Sequence, residues 1–320
     1  MFRPRIAVTL GDPRGIGPEV AVGALESLAA GSGLADYEIA LPDRFVPFIQ
    51  TDATAGGVIE NYARAMSDQD AGIASTRSLE AAVSGALQGR FHAVVTGPVH
   101  KPSLHAAGWH VPGQTEMLAR LSRSHPVGML MAAERTRFEA PLRVLLATTH
   151  LALRDVPDAV TSALLVEQGA LLHEALLRDW LIEAPRLALC ALNPHASDGG
   201  LFGDEEARVL RPAVAKLHAA GVRVDGPLPA DTVFSRALSG AYDAVIAPYH
   251  DVGMAAFKTV SFGTGVNVTL GLPFVRTSPD HGTAFDIAGT GRADVSSMVE
   301  ALELAARLAH ARFDTGSRHV

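Results

Sequence analysis

Cysteine is almost absent: Cys190 is the one residue of its kind among 320, so no intrachain disulfide can form. It sits inside an apolar run, and a reduced cytoplasm is the compartment this implies. A dense Lys/Arg run is also lacking and the formal charge is −7, which argues against nucleic acid and anionic membrane as partners. No stretch reaches the roughly 20 apolar residues that a membrane span needs. The start, Met1-Phe-Arg-Pro-Arg-Ile6, runs directly into a strand-like segment without the apolar core of a secretory signal, so a cytoplasmic location is expected. His-Glu-x-x-His, a Walker A loop and the Gly-x-Gly-x-x-Gly dinucleotide fingerprint are all missing. No internal repeat, low-complexity tract or linker marks a lobe boundary.

What is present is apolar and regular. Hydrophobic residues make up 48%, enough to bury a large core, and the length suits two lobes or one large α/β domain. Strand-like and helix-like segments alternate. Arg5–Leu10, His92–Thr96, Val127–Ala132, Leu142–Thr148, Leu187–Leu192, Ala244–Ala247 and Val266–Leu270 read as strands. Pro18–Ala30, Ser78–Leu87, Glu116–Leu121, Asp158–Arg178, Asp204–Ala220 and Val295–Ala311 read as helices. This alternation predicts an α/β fold with a mostly parallel sheet.

Three apolar runs end in histidine: Leu142 to His150, Leu187 to His195 and Ala244 to His250. In open α/β sheets ligands bind beyond the carboxyl ends of the strands, and three imidazoles there could meet at one divalent metal. Three separate, hydrogen-bonded strand-end histidines are the alternative. Gly11-Asp-Pro-Arg-Gly-Ile-Gly-Pro-Glu19 joins a strand to a helix, either as a phosphate-loop-like turn or only as a tight one. Lys101, after Thr96-Gly-Pro-Val-His, could hold an anion, pass a proton or be merely solvated. Lys258, Asn267 and Arg276, spaced nine residues apart, suit a phosphate or carboxylate, with a scattered solvated surface as the alternative. The polar, glycine-rich loop from His281 to Arg292 has the composition of a functional loop.

Taken in order, Gly11–Glu19, Thr96–Lys101, Thr148–Leu151, Leu192–Ala196, Gly226–Thr232, Tyr249–Asp251, Gly265–Ser278 and Asp280–Ala284 resemble the 4-hydroxythreonine-4-phosphate dehydrogenase family over nearly the whole chain. The resemblance implies one dehydrogenase unit over 1–320 made of two interleaved lobes. The fold would be a two-lobed α/β/α arrangement like the isocitrate and isopropylmalate dehydrogenases, with the active site in the cleft between lobes. It implies NAD-dependent (alternatively NADP-dependent), metal-requiring oxidation of 4-hydroxythreonine 4-phosphate, in pyridoxal phosphate (pyridoxine) biosynthesis. The product would be a β-keto acid that decarboxylates to 3-amino-2-oxopropyl phosphate. It further implies His150, His195 and His250 as metal ligands, with Zn2+ first and Mg2+, Mn2+ or Co2+ as alternatives. Thr115, Lys258, Asn267 and Arg276 would contact the small phosphorylated hydroxy acid. His281, Gly282, Thr283, Ala284, Asp286 and Gly289 would line the NAD site, by similarity to the cofactor loop of the isocitrate dehydrogenase group. Lys101 or Asp231 would relay the proton. A homodimer would complete the site, with ligands from both subunits.

Two positions depart from the family pattern. Gln114 stands where the family has a substrate-contacting histidine, and glutamine donates a hydrogen bond without carrying charge. Val252 replaces an amide beside His250. Related branches oxidise 4-phospho-D-threonate, 4-phospho-D-erythronate or a terephthalate cis-dihydrodiol. Retention of Asn267 and Arg276 favours a phosphorylated substrate. A metal-free phosphate acetyltransferase of the same general fold and a non-catalytic ligand sensor are the alternatives of other classes.

Overall fold

The short apolar runs become strands whose side chains are buried throughout, as in β4, Ala93–Thr96, β6, Leu142–Leu146, and β9, Ala244–Ala247. Such uninterrupted burial is what interior strands of a mainly parallel sheet require. The computed structural model describes residues 2–29, 33–48 and 66–314. The remaining strands are β1 Arg5–Thr9, β2 Asp36–Ala40, β3 Phe45–Pro47, β5 Gly128–Ala133, β7 Arg186–Cys190, β8 Arg223–Leu228, β10 Val266–Leu270 and β11 Val275–Pro279.

The chain forms two units. Unit 1 takes Met1–His125 with Leu272–Val320, and unit 2 takes Pro126–Gly271. In unit 1 the strand order is β3-β2-β1-β4-β11, parallel except for the antiparallel edge strand β3. In unit 2 it is β10-β5-β6-β9-β7-β8. There β6, β9, β7 and β8 run parallel, while β5 is antiparallel to both β6 and β10. The mostly parallel α/β expectation therefore holds, with β5 and β3 as its exceptions.

The unit 2 core lies among Leu142, Val144, Leu146, Val245 and Phe257. Each such side chain contributes about 1.5–3 kcal/mol when fully buried. Helix His250–Ser261 approaches this sheet closely because Gly253 has no side chain: a Cβ there would lie 2.6 Å from Leu146 Cδ2 and 2.9 Å from Ala247 Cβ.

Two predicted helices are each divided. Instead of one helix over 158–178 there are Val156–Ala159 and Ser162–Asp179. Val160 is extended between them, and Thr161 caps the second by accepting from the Leu164 amide. Instead of one helix over 204–220, a π-helical turn, Glu206–Leu210, precedes the α-helix Arg211–Ala219. Pro212, in the first turn of that α-helix, has no N–H to donate backwards, which accounts for the change of winding. The first predicted helix spans Gly17–Ala29, and its expected last residue, Ala30, lies outside the described residues. Among the described residues no helix is long and apolar enough to cross a membrane.

Candidate active site

Strand order sets the relation of the three histidines. All three follow carboxyl ends of parallel strands of unit 2: His150 after β6, His250 after β9 and His195 after β7. β6 and β9 are neighbours, and their pairing continues past the strand ends. The Ala147 amide donates to the Ala247 carbonyl at 2.9 Å, and the Thr148 amide and hydroxyl donate to the Pro248 carbonyl at 3.3 and 2.8 Å. This ladder delivers His150 and His250 side by side, with ring centroids 5.5 Å apart. Two imidazoles bound to one tetrahedral ion at about 2.0–2.1 Å would have centroids about 5 Å apart, so the pair fits a divalent metal. The ring of His250 donates through Nδ1 to Asp251 Oδ1 at 2.7 Å, which puts the ring's lone pair on Nε2.

His195 comes from β7, on the other side of β9. It lines a separate hollow with Asn193, Asp231 and Val252, and Tyr249 borders both this hollow and the one that holds His150 and His250. Among the described residues of one chain, no three His, Cys, Asp or Glu side chains come together as a metal set. The geometry of one chain thus brings two of the predicted ligands together and leaves the third apart. Val252 packs against the apolar core of unit 2 as well as lining the His195 hollow.

The backbone at His195 is unusual. His195, Ala196, Ser197 and Asp198 have φ of 53°, 56°, 68° and 45°, followed by Gly199 at 70°. Left-handed geometry costs an L-residue roughly 1–2 kcal/mol. The run is held by Glu206, which is 1% exposed. Its Oε1 accepts from the Leu192 and Asn193 amides at 2.9 and 2.8 Å, and its Oε2 accepts from Asn193 Nδ2 at 2.9 Å and from the Ser197 hydroxyl. Burial alone would raise the Glu206 pKa; the hydrogen bonds from Ser197 and Asn193 outweigh it and hold the carboxyl below its ordinary value.

The predicted anion-binding residues fall in both units. In unit 2, Lys258 is exposed on helix His250–Ser261 and Asn267 is half-buried on β10. The Asn267 side-chain oxygen is buried and has no hydrogen-bond partner among the described residues. In unit 1, Arg276 is buried on β11. Its Nη2 donates to Thr96 Oγ1 at 2.7 Å and to Gln114 Oε1 at 2.9 Å. Burial pulls the guanidinium pKa down to about 10, opposed by the Glu116 carboxylate, so it stays charged at neutral pH. Gln114 Oε1 also accepts from Thr96 Oγ1 at 3.0 Å, and its Nε2 donates to the Gly97 carbonyl at 3.2 Å. Gln114 is thus a neutral partner of Arg276, with at most one N–H left to offer. Thr115 is buried in the first turn of helix Gln114–Ser122, and Lys101 is exposed at the start of helix Lys101–Ala106.

The glycine-rich loop after β11 is fixed by the Gly11–Glu19 turn. The Ile16 amide donates to the Thr283 carbonyl at 2.9 Å, and Glu19 accepts from the Gly289 and Ala293 amides at 2.8 and 3.4 Å. Gly15 allows this approach, since a Cβ would lie 2.6 Å from the Thr283 oxygen. Arg14, bonded to Asp12 and Asp68, lies 5.4 Å from the Phe285 ring. The Ile16 amide and the Glu19 carboxylate of the turn thus hold the neighbouring loop. In that loop His281 is half-buried with Nδ1 on the Gly282 carbonyl, Thr283 and Ala284 are half-buried, and Gly282, Asp286 and Gly289 are exposed. Sequence reasoning missed Glu19, Glu206 and Asp251 as supporting residues; only the His250-Asp251 adjacency carried a signal.

The imidazoles of unit 2 stand beyond the carboxyl ends of parallel strands, the place where α/β folds bind ligands. A family profile described as "Pyridoxal phosphate biosynthetic protein PdxA" matches residues 39–305. The chain belongs to this family. It is 42% identical over 325 residues to 4-hydroxythreonine-4-phosphate dehydrogenase of Chromobacterium violaceum, covering 96% of this chain and 97% of that protein. The crystal structure of 4-hydroxythreonine-4-phosphate dehydrogenase from Klebsiella pneumoniae matches with a TM-score of 0.79 at 36% identity, over 96% of this chain and 98% of that one. Isocitrate dehydrogenase from Methylococcus capsulatus shares the fold, with a TM-score of 0.53 at 14% identity over 97% of this chain and 86% of that one. The resemblance read from the ordered motifs and the isocitrate-dehydrogenase-like α/β fold are both borne out, and the chain is an oxidoreductase.

Proposed function

We propose that this chain oxidises the secondary alcohol of 4-hydroxythreonine 4-phosphate, using NAD+ and a divalent metal, with Zn2+ the first choice. The observation that carries the reading is the His150–His250 pair, whose 5.5 Å spacing suits one tetrahedral ion, in a chain of this family. His150, His195 and His250 would hold the metal, and a second copy of the chain would complete the set in a homodimer. The ion would supply a Lewis acid for the alcohol, and NAD+ the hydride acceptor. Asp251 fixes the ring orientation of His250 through the 2.7 Å bond. By the family resemblance Lys258, Asn267 and Arg276 would each contact the substrate, so binding energy remote from the reacting carbon would orient it. The buried Asn267 oxygen, without a hydrogen-bond partner among the described residues, would accept from a ligand hydroxyl or ammonium, not from the phosphate. Gln114 keeps Arg276 aimed without adding charge, and Thr115 offers a hydroxyl. The loop holding His281, Gly282, Thr283, Ala284, Asp286 and Gly289 carries NAD+. Asp231, which shares the His195 hollow, is the better supported proton carrier, with Lys101 as the second. Oxidation of the alcohol on the carbon β to the carboxylate leaves a β-keto acid, which loses CO2.

The test is NADH absorbance and CO2 release with 4-hydroxythreonine 4-phosphate, 4-phospho-D-threonate and terephthalate cis-dihydrodiol, each with Zn2+, Mg2+ and Mn2+. Turnover of the first substrate supports the reading. Turnover of only one of the others moves the chain to that branch, and none with any metal overturns the dehydrogenase assignment. Mixing inactive His150→Ala and His195→Ala proteins tests the dimer: activity regained on mixing supports a shared site, and none argues for a site within one subunit.

A further inference from the structure

We infer that Glu206 is a positioning residue for His195. It rests on the metal reading above and goes beyond it by naming what aims the third imidazole. The His195 side chain is exposed, so packing does not hold it, and its backbone sets where the Cβ stands and which arc the imidazole can reach. That backbone lies in a run of four non-glycine residues with positive φ, followed by Gly199. Such a run persists only where surrounding contacts over-determine it. One carboxylate provides those contacts on both sides of His195. Glu206 accepts from the amides of Leu192 and Asn193 and from Asn193 Nδ2 before the histidine, and from the Ser197 hydroxyl after it. Glu205 takes the same Asn193 amide nitrogen at 2.7 Å, reinforcing the first anchor.

The chemistry demands an ionised acid. Every partner of Glu206 here donates, and a carboxylate has four acceptor sites to meet them. A glutamine would turn an N–H2 toward Asn193 Nδ2 or toward the two backbone amides, donor against donor. The shape of the side chain would be kept and the hold on the turn weakened. The turn would then relax toward commoner backbone angles and carry the imidazole with it.

The experiment is metal affinity, measured by competition with a chelating dye for Zn2+ and by titration with Co2+, on folded protein of wild type, Glu206→Gln, Ser197→Ala, Asn193→Ala, His150→Ala, His195→Ala and His250→Ala. The Co2+ d–d spectrum reports ligand geometry, which a general loss of stability does not move. Leu302→Ala, a core truncation in unit 1 on helix Ser296–Phe313, is the stability control. The expected result is a loss of affinity of about tenfold or more in Glu206→Gln, the size typical of supporting residues around a metal. An altered Co2+ spectrum and a smaller loss in Ser197→Ala should accompany it, with near wild-type affinity in the folded fraction of the control. Should Glu206→Gln fail to fold, Ser197→Ala and Asn193→Ala decide the question by the same two readouts. Wild-type affinity and spectrum in these turn variants, with a loss in His195→Ala, would overturn the inference and leave the metal site standing. Unchanged affinity in His150→Ala, His195→Ala and His250→Ala together would overturn the metal reading and the inference with it.

Discussion

Gln114→His restores the residue type that the resembling family carries, and here it should introduce a pH-dependent weakness. In the present chain Gln114 Oε1 lies 2.9 Å from Arg276 Nη2, and both atoms are part-buried or buried. A neutral imidazole can still accept from that nitrogen. A protonated one cannot, and it sets a second positive charge roughly 4 Å from the guanidinium, which is worth about 4 kcal/mol of repulsion at an effective dielectric of about 20. That energy corresponds to a drop of about 3 units from the ordinary imidazole value of about 6.5. The unfolded chain then takes up a proton near pH 6.5 that the folded chain refuses, so stability falls as the pH is lowered through that value. Between pH 8 and pH 5.5 the variant should lose about 1.4 kcal/mol more than wild type. The assay is urea unfolding of both proteins at the two pH values, in the same buffer ionic strength. An equal difference at pH 8 and pH 5.5 would refute the reasoning, because it would show that position 114 does not face the Arg276 charge.

Other outcomes follow from the same geometry. Asp251→Asn should weaken metal binding about tenfold to a hundredfold, measured by chelator competition, since it alters the group that fixes the His250 ring. Glu19→Ala should raise KM for NAD+ about tenfold, the equivalent of one charge-assisted hydrogen bond, while metal affinity measured by dye competition stays at the wild-type value. Cys190 is buried and desolvation pushes its thiol up to about 12, with the Glu206 charge adding to the shift. The native protein should therefore resist a thiol-reactive disulfide dye at pH 8, whereas the protein in guanidinium should react at one thiol per chain.

The strands that present the histidines were legible because β6, β7 and β9 are apolar from end to end, and Val266–Leu270 emerged with its predicted bounds. β11, Val275-Arg-Thr-Ser-Pro279, was hidden for a functional reason: a buried strand that carries Arg276 lacks the apolar signature of its neighbours. β2, Asp-Tyr-Glu-Ile-Ala, is half polar because it lies near the sheet edge beside β3. The ligand candidates were legible as types and positions. Their grouping was not, because it depends on strand order, and nothing local in the sequence says that β9 separates β6 from β7. The left-handed turn was equally invisible, since His195-Ala-Ser-Asp198 contains no glycine to announce positive φ. Glu206 read as an acidic residue near a helix start, and only burial and its four donors reveal what it holds.

The ladder that runs past the ends of β6 and β9 has a bearing on how this protein can vary. His150 stands four residues beyond Leu146 and His250 three beyond Ala247, and those two strand ends pair directly. The spacing of the two rings is therefore counted out in residues from a shared rung. A single insertion or deletion in either short connector would slide one ring past the other, whatever residue was added. The stretch of residues 181–184 before β7, exposed or half-buried, carries no such count and can change length more readily. Drift in this lineage should thus respect two fixed loop lengths even where the amino acids within them change.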